Sequence, residues 1–215
     1  MAFPSQGLAR SVTASMCTFI LALWLVACGG HSSNTTTSTN GSFVNPVQHT
    51  LAPTATKSVP YTTYTSADFT LKYPADWKIT NATTEIAFTD PAGNYNLTIG
   101  FTPNPNGAEN PDQLADGGIS GAKTNLKDEQ TINVPKTVTV ANQTWSQRAL
   151  SGVSTLNGAS NDIEATVLAT NHPQKATNTK GYIIVYVAAK NQFDQAKNRY
   201  FMPMLQSFQF TASQT

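Results

Sequence analysis

The chain has 215 residues, a formal net charge of +1 and charged side chains at only 12% of its positions. That fraction is about half the usual one, and a neutral surface lacks the cations that neutralise phosphates in nucleic-acid complexes. Nucleic acid is therefore excluded as a partner, and the length suits one ordinary domain with a leader and a tail.

The first predicted element is a short apolar run over residues 16–27, which is interrupted only by Thr18. Twelve residues rise about 18 Å as a helix, whereas a bilayer core of about 30 Å needs roughly 20 residues. The run is too short to span a membrane comfortably and fits the apolar region of a signal peptide. We therefore predict that residues 1–27 are a leader.

The leader ends in Leu25-Val26-Ala27-Cys28, which resembles the recognition sequence of bacterial lipoproteins, the lipobox. The resemblance implies cleavage before Cys28 and acylation of its sulfur with diacylglycerol and palmitate-like chains, which would hold the protein on the extracytoplasmic face of the cell membrane. An ordinary signal peptide cut after Ala27 and an uncleaved anchor are the alternatives. Since Cys17 would leave with the leader, the folded part would contain no free thiol, disulfide or thiolate metal site.

Residues 28–60 are predicted to be the lipidated cysteine and a disordered linker rich in Ser, Thr, Asn and Pro. Such a composition buries too little apolar surface to fold. About 30 flexible residues reach roughly 30 Å, so the linker would hold the domain off the membrane. His31 and His49 lie in this linker and are interpreted as solvated.

The domain, predicted over residues 61–212, begins with strands. Apolar residues alternate with polar ones over residues 69–73, 86–88 and 95–101, which is the pattern of half-buried strands. Asp90 opens an Asp-Pro-Ala-Gly-Asn segment with strong turn chemistry between the second and third strands.

A helix should begin next, because Asn110 can cap it, Pro111 suits its first turn and Asp112 favours the positive end of its dipole. Two hairpins follow. One joins residues 138–140 to the strand around Trp145, and the other joins residues 144–154 to 161–170 around an Asn-Gly turn at 157–158, a strong hairpin signal.

Residues 182–189 are apolar at every position, which is typical of a strand that is covered on both faces. A C-terminal amphipathic helix capped by Asn191 would supply one covering layer, with a kink or restart at Pro203. Its apolar face is predicted to comprise Phe193, Ala196, Tyr200, Met204, Leu205 and Phe208. The fold predicted from these elements is α+β, with a mostly antiparallel sheet of six or seven strands and helices packed on it.

The order of these elements resembles the PsbP/Mog1 family, and the Phe-x-Leu-x-Tyr-Pro-x-x-Trp segment at residues 69–77 carries most of the likeness. The likeness to this family continues through residues 86–91 and 96–99 and includes Tyr182 and Phe208. The resemblance implies a three-layer α/β/α sandwich, such as many bacterial lipoproteins carry, and a role in binding proteins without a shared catalytic centre. No functional residue is carried over, and the matched residues are interpreted as core: Phe69, Tyr73, Trp77, Ile86 and Phe88.

Groups suited to catalysis are scarce. His172 is the one histidine of the predicted domain, and it is interpreted as a solvated loop residue because no Gly-x-Ser-x-Gly segment accompanies it. Oxygen ligands that could hold a cation occur only as isolated pairs. These pairs are Asp90 with Asn94, Asp128 with Glu129, and Asp162 with Glu164. The sequence does not exclude a pair of acidic residues that hydrolyses glycosides, because it does not show which acids are close in space. We predict no catalytic residue, no metal site and no cofactor.

Two functions from different classes are compatible with these observations. The first, and preferred, is a non-catalytic module that binds or assembles with another envelope protein. The alternative is a lipoprotein that binds envelope glycan or a small solute, or acts on it as a hydrolase, in a pocket with Trp or Tyr beside two or more carboxylates. Four aromatic residues could form a contact surface or simply pack across strands: Tyr61, Tyr64, Tyr95 and Trp145.

Overall fold

The computed structural model describes residues 59–155 and 160–211. The predicted leader, its cleavage signal, Cys28, nearly all of the linker and the Asn-Gly turn at 157–158 lie outside these residues. The strands are β1 (Tyr61–Thr65), β2 (Phe69–Pro74), β3 (Lys78–Asn81), β4 (Glu85–Thr89), β5 (Tyr95–Pro103), β6 (Leu126–Ile132), β7 (Thr137–Val140), β8 (Gln143–Ser154), β9 (Asn161–His172), β10 (Lys180–Ala189) and β11 (Gln209–Phe210). The α-helices are α1 (Pro111–Lys123), α2 (Phe193–Ala196) and α3 (Met202–Ser207).

The described strands form two antiparallel sheets rather than the single sheet that was predicted. The larger has the order β3-β4-β5-β10-β9-β8-β6, with β7 also paired to β8, and the smaller has the order β1-β2-β11. The large sheet therefore has seven strands in its continuous order and β7 as an eighth, where six or seven were predicted. Strands β1, β3, β6 and β11 escaped prediction because they are short or polar and lack apolar alternation.

Strand β10 lies in the middle of the large sheet and is buried on both faces, as its continuous apolar sequence predicted. Ile183 and Val185 face the core that contains α1. Ile184 and Tyr186 face the opposite core, beneath the small sheet and the C-terminal helices.

Helix α1 covers one face of the large sheet and begins as predicted. The side chain of Asn110 accepts a hydrogen bond from the backbone of Gln113, whose side chain accepts one from the backbone of Asn110. This reciprocal capping box satisfies backbone donors at the start of the helix. Arg148 of β8 also holds the helix, through ion pairs of 3.0 Å to Asp112 and 2.8 Å to Asp116.

The other face is covered jointly by the small sheet and the C-terminal helices. Four of the residues interpreted as core are buried, and Tyr73 is half-buried; the four are Phe69, Trp77, Ile86 and Phe88. The outer layers thus consist of α1 on one side and a mixed layer of helix and strand on the other. No helix within residues 59–155 and 160–211 is long and apolar enough to cross a membrane.

The C-terminal helix differs from its prediction in which side chains face the core and in the residue at its start. A π-helical turn at Lys197–Phe201 separates α2 from α3 and precedes Pro203, where a kink or restart was predicted. One extra residue in that turn places Phe201, at 0% exposure, in the core instead of Tyr200, which is half-buried. Asn191 is not the cap, because it lies within a 3₁₀ turn at Lys190–Gln192.

Both predicted hairpins form. Strands β7 and β8 pair across a turn in which Ala141 and Asn142 have positive φ angles of 53° and 58°. Strands β8 and β9 pair from Ser146 opposite Ala169 to Ser154 opposite Asn161, which is most of the predicted length. Asp90 is a turn residue, since its carboxylate accepts backbone hydrogen bonds from Ala92 and Tyr95.

Candidate functional site

Polar side chains form a row across three neighbouring strands at one end of the large sheet. His172, the last residue of β9, lies directly opposite Lys180, the first residue of β10. Continuing the β8–β9 register places Gln143, the first residue of β8, on the other side of His172. The small sheet covers this row with Asp68, from the turn between β1 and β2, and with Phe210 of β11.

His172 is half-buried and packed, not solvated as predicted. Its ring stacks on that of Phe210 with centroids 3.9 Å apart and an angle of 7° between the planes. Its Nδ1 lies 2.7 Å from Nε2 of Gln143. With the amide in this orientation, Nε2 of Gln143 donates to Nδ1, which fits the ring tautomer that carries its proton on Nε2. Burial lowers the pKa of His172, and the charge of Asp68 opposes this effect.

Asp68 and Lys180 form an ion pair between the two sheets. Lys180 Nζ donates to both carboxylate oxygens of Asp68, at 2.8 and 2.7 Å, and lies 5.7 Å from the centre of the Phe101 ring. Both charges are therefore already neutralised. Burial raises the pKa of the nearby Tyr182 hydroxyl, and Asp68 raises it further.

Within the described residues, this row does not have the arrangement of a serine hydrolase. A serine hydrolase needs a hydroxyl beside its histidine and a carboxylate that orients the ring. Within the described residues, the ring's hydrogen-bond partner is the amide of Gln143, and the one carboxylate in the row is paired with Lys180. Gln143 Oε1 is buried and has no hydrogen-bond partner in residues 59–155 and 160–211.

The environment of His172 predicts a pH dependence of stability. The folded state lowers the pKa of His172, so between that value and the ordinary value of about 6.5 the unfolded chain binds more protons. The resulting stabilisation is complete above pH 6.5 and disappears as the pH falls through the folded-state pKa. We expect denaturant unfolding to show this decrease in the wild type and a flatter profile in His172→Gln. Equal slopes in the two proteins would contradict the assignment.

The acidic pairs considered as cation ligands are dispersed. Asp90 caps its own turn, while Asp128 and Glu129 lie exposed on β6 at the edge of the large sheet. Burial raises the pKa of Glu164 and Asp194 adds to the effect, but Lys197 and Lys190 oppose it. No three His, Cys, Asp or Glu side chains of the described chain converge well enough to hold a metal ion.

The four aromatic residues considered as a contact surface pack instead into the protein. Trp145 is completely buried, and Tyr64 packs edge-to-face on Phe88 with centroids 5.5 Å apart. The hydroxyl of Tyr61 donates to the carbonyl of Arg199. Tyr95 packs against Tyr200 and hydrogen-bonds to Gln192. Ordinary packing, rather than an exposed aromatic patch, accounts for them.

Sequence reasoning missed Asp68, Gln143, Lys180 and Phe210. Asp68 and Lys180 are 112 residues apart, and neither belongs to a motif. The register of β8, β9 and β10 brings Gln143 and Lys180 beside His172, and the small sheet brings Asp68 and Phe210 over them.

No protein-family profile matches the chain, and no curated protein matches it either. Several solved structures are similar. LpqN of Mycobacterium tuberculosis, described as involved in cell envelope biogenesis, has 16% identity and a TM-score of 0.43 over 72% of this chain and 92% of its own. A protein from Bacteroides thetaiotaomicron VPI-5482 has 10% identity and a TM-score of 0.44 over 68% of this chain and 46% of its own.

The apo immunity protein TplEi of a T6SS of Pseudomonas aeruginosa has 9% identity and a TM-score of 0.41 over 74% of this chain and 52% of its own. The chain thus spans about half the length of the Bacteroides and Pseudomonas proteins. Similarities at these TM-scores assign neither a family nor a function to the chain.

Proposed function

We propose that the chain is a bacterial lipoprotein held by Cys28 on the extracytoplasmic face of a membrane, and that its folded part is a non-catalytic protein-assembly module. The lipobox-like residues before Cys28 support the anchor. An antiparallel sheet covered on both faces supports a PsbP/Mog1-like sandwich. The partners we propose are the membrane and an envelope protein.

The non-catalytic assignment rests on one observation, which is that the polar groups in the row around His172 are bonded to one another. The ring of His172 is stacked on Phe210 and bonded to Gln143, and Asp68 is paired with Lys180. These contacts join the two sheets. A reacting centre would need at least one of these groups to be available to a substrate.

The anchor is tested by mass spectrometry of the protein isolated from bacterial membranes. We expect an N-terminal Cys28 that carries acyl chains, and a Cys28→Ser variant that leaves the membrane fraction. An intact start methionine or an unmodified thiol at position 28 would refute the anchor.

The binding role is tested on intact cells with the full-length chain. A photo-reactive amino acid is placed in turn at Thr63, Thr80 and Glu129, which are exposed on three different strands. We expect a discrete crosslinked protein, identified by mass spectrometry, at one position or more, and its loss in Cys28→Ser. Absence of any adduct would refute the proposal, as would hydrolase activity that His172→Gln abolishes.

A further inference from the structure

Strand β1 forms an edge of the small sheet that is open to another strand. Pro60 accepts a backbone hydrogen bond from Ala75, and Ser66 donates one to Phe69. In an antiparallel pair such bonds alternate, so Thr62 and Tyr64 bond to β2. The backbone groups of Tyr61, Thr63 and Thr65 therefore point away from β2, where the described chain provides no strand.

The other edges carry charges, a bulge or a shorter strand, whereas the one such feature at β1 is the preceding Pro60. Strand β6 bears the exposed charged residues Lys127, Asp128 and Glu129, and its register is broken by a bulge. Strand β3 has four residues and begins with a lysine, β7 has four residues and follows Lys136, and β11 has two. Charges, bulges and short length are the usual protections of sheet edges. Strand β1 has five residues, and none is charged.

We propose that β1 pairs with β1 of a second copy of this chain, antiparallel about a two-fold axis at Thr63. This register is the one that uses all three outward-pointing residues, since Thr63 meets its own copy and Tyr61 meets Thr65. The two small sheets then join into one continuous sheet. The inference names a partner for the assembly function proposed above and rests on that function.

The sequence of β1 is self-complementary in this register. Tyr61 lies opposite Thr65, Thr62 lies opposite Tyr64, and Thr63 lies opposite Thr63. Aromatic residues paired with β-branched residues, and threonine paired with threonine, are the cross-strand neighbours that stabilise antiparallel sheets. No tyrosine meets a tyrosine and no like charges meet, so a second copy fits this edge. The two-fold arrangement also closes the assembly at two chains.

Disulfide trapping on intact cells tests the register with the full-length chain. Opposed Thr63 Cα atoms would be about 5.5 Å apart, within the range of a disulfide. Two Thr65 residues would be offset by four positions, about 13 Å, which is too far. After mild oxidation we expect most Thr63→Cys chains to run as dimers on a non-reducing gel, while wild type and Thr65→Cys stay monomeric.

Opposite charges at the two-fold axis give an independent test. Thr63→Lys and Thr63→Glu should each weaken self-association, because like charges then face each other, and mixing the two should restore it. The matched variants Thr80→Lys and Thr80→Glu, on β3, should associate as the wild type does. Thr63 is exposed, so unchanged circular dichroism is expected throughout.

The possible failures are distinguishable. Equal trapping of Thr63→Cys and Thr65→Cys indicates random collision and overturns the inference. No trapping of Thr63→Cys, with photo-crosslinks to another protein retained, overturns the inference and leaves the proposed function standing. If Thr63→Cys stays monomeric and no photo-crosslink forms, both the inference and the proposed function are overturned.

Discussion

Replacing Trp145 with alanine is expected to lower the free energy of unfolding by about 3–5 kcal/mol, the usual cost of removing a fully buried aromatic side chain. Trp145 is at 0% exposure and packs edge-to-face on Phe208 and stacked on Phe210. Its indole nitrogen also donates to the carbonyl of Val140, at 3.1 Å. The change would therefore disturb the β7–β8 hairpin and the contact between the two sheets together.

Denaturant unfolding followed by circular dichroism measures this loss, which is a large part of a typical stability of about 5–15 kcal/mol. The control is Trp145→Phe, which keeps an aromatic ring but removes the hydrogen bond to Val140. We expect it to cost less than the alanine variant. A loss below about 1 kcal/mol for Trp145→Ala would mean that this residue is not part of the core.

Replacing Gly118 with leucine is expected to lower the free energy of unfolding by about 2 kcal/mol, because α1 lies too close to the sheet for a side chain there. A Cβ atom on Gly118 would lie 2.8 Å from Val167 Cγ1 and 3.2 Å from Ile183 Cγ2. Both neighbours are β-branched and rigid, so α1 would have to move away from β9 and β10.

The adjacent glycine provides a matched control. A Cβ atom on Gly117 would have no neighbour within 4 Å, and the residue is exposed. Gly117→Leu should therefore stabilise the protein by about 0.5–1 kcal/mol, since leucine favours a helix more than glycine does. Thermal unfolding of the two variants should shift in opposite directions. If both shifted upward, the close packing of α1 on the sheet would be disproved.

Elements defined by neighbouring residues were predictable. Asn110 and Pro111 mark the start of α1, because a cap acts on the first turn of its own helix. The β8–β9 hairpin follows from two strand patterns around an Asn-Gly pair. The continuous apolar sequence of β10 predicted that both of its faces would be buried, and its residues do belong to the cores on both sides of the large sheet.

Elements that depend on remote partners, or on an irregular helical turn, were not predictable. Strand β6 contains almost no apolar residue and is a strand only because β8 offers it hydrogen bonds. Phe201 faces the core because a π-helical turn changes the phase of the C-terminal helix, which a constant period of 3.6 residues does not anticipate. His172 is packed because Phe210, on β11 of the small sheet, covers it.

The amino-acid sequence by itself determined the sheet-rich fold class, the caps and turns, the strand that must be central, and the lipobox-like segment that predicts an anchor. Each of these depends on residues that are adjacent or a few positions apart. Only the tertiary structure decided that there are two sheets, that the polar row of His172 joins them, and that β1 is left as an uncharged edge. Those features arise from pairing between distant segments, and the free energy of such pairing is not encoded in any local pattern.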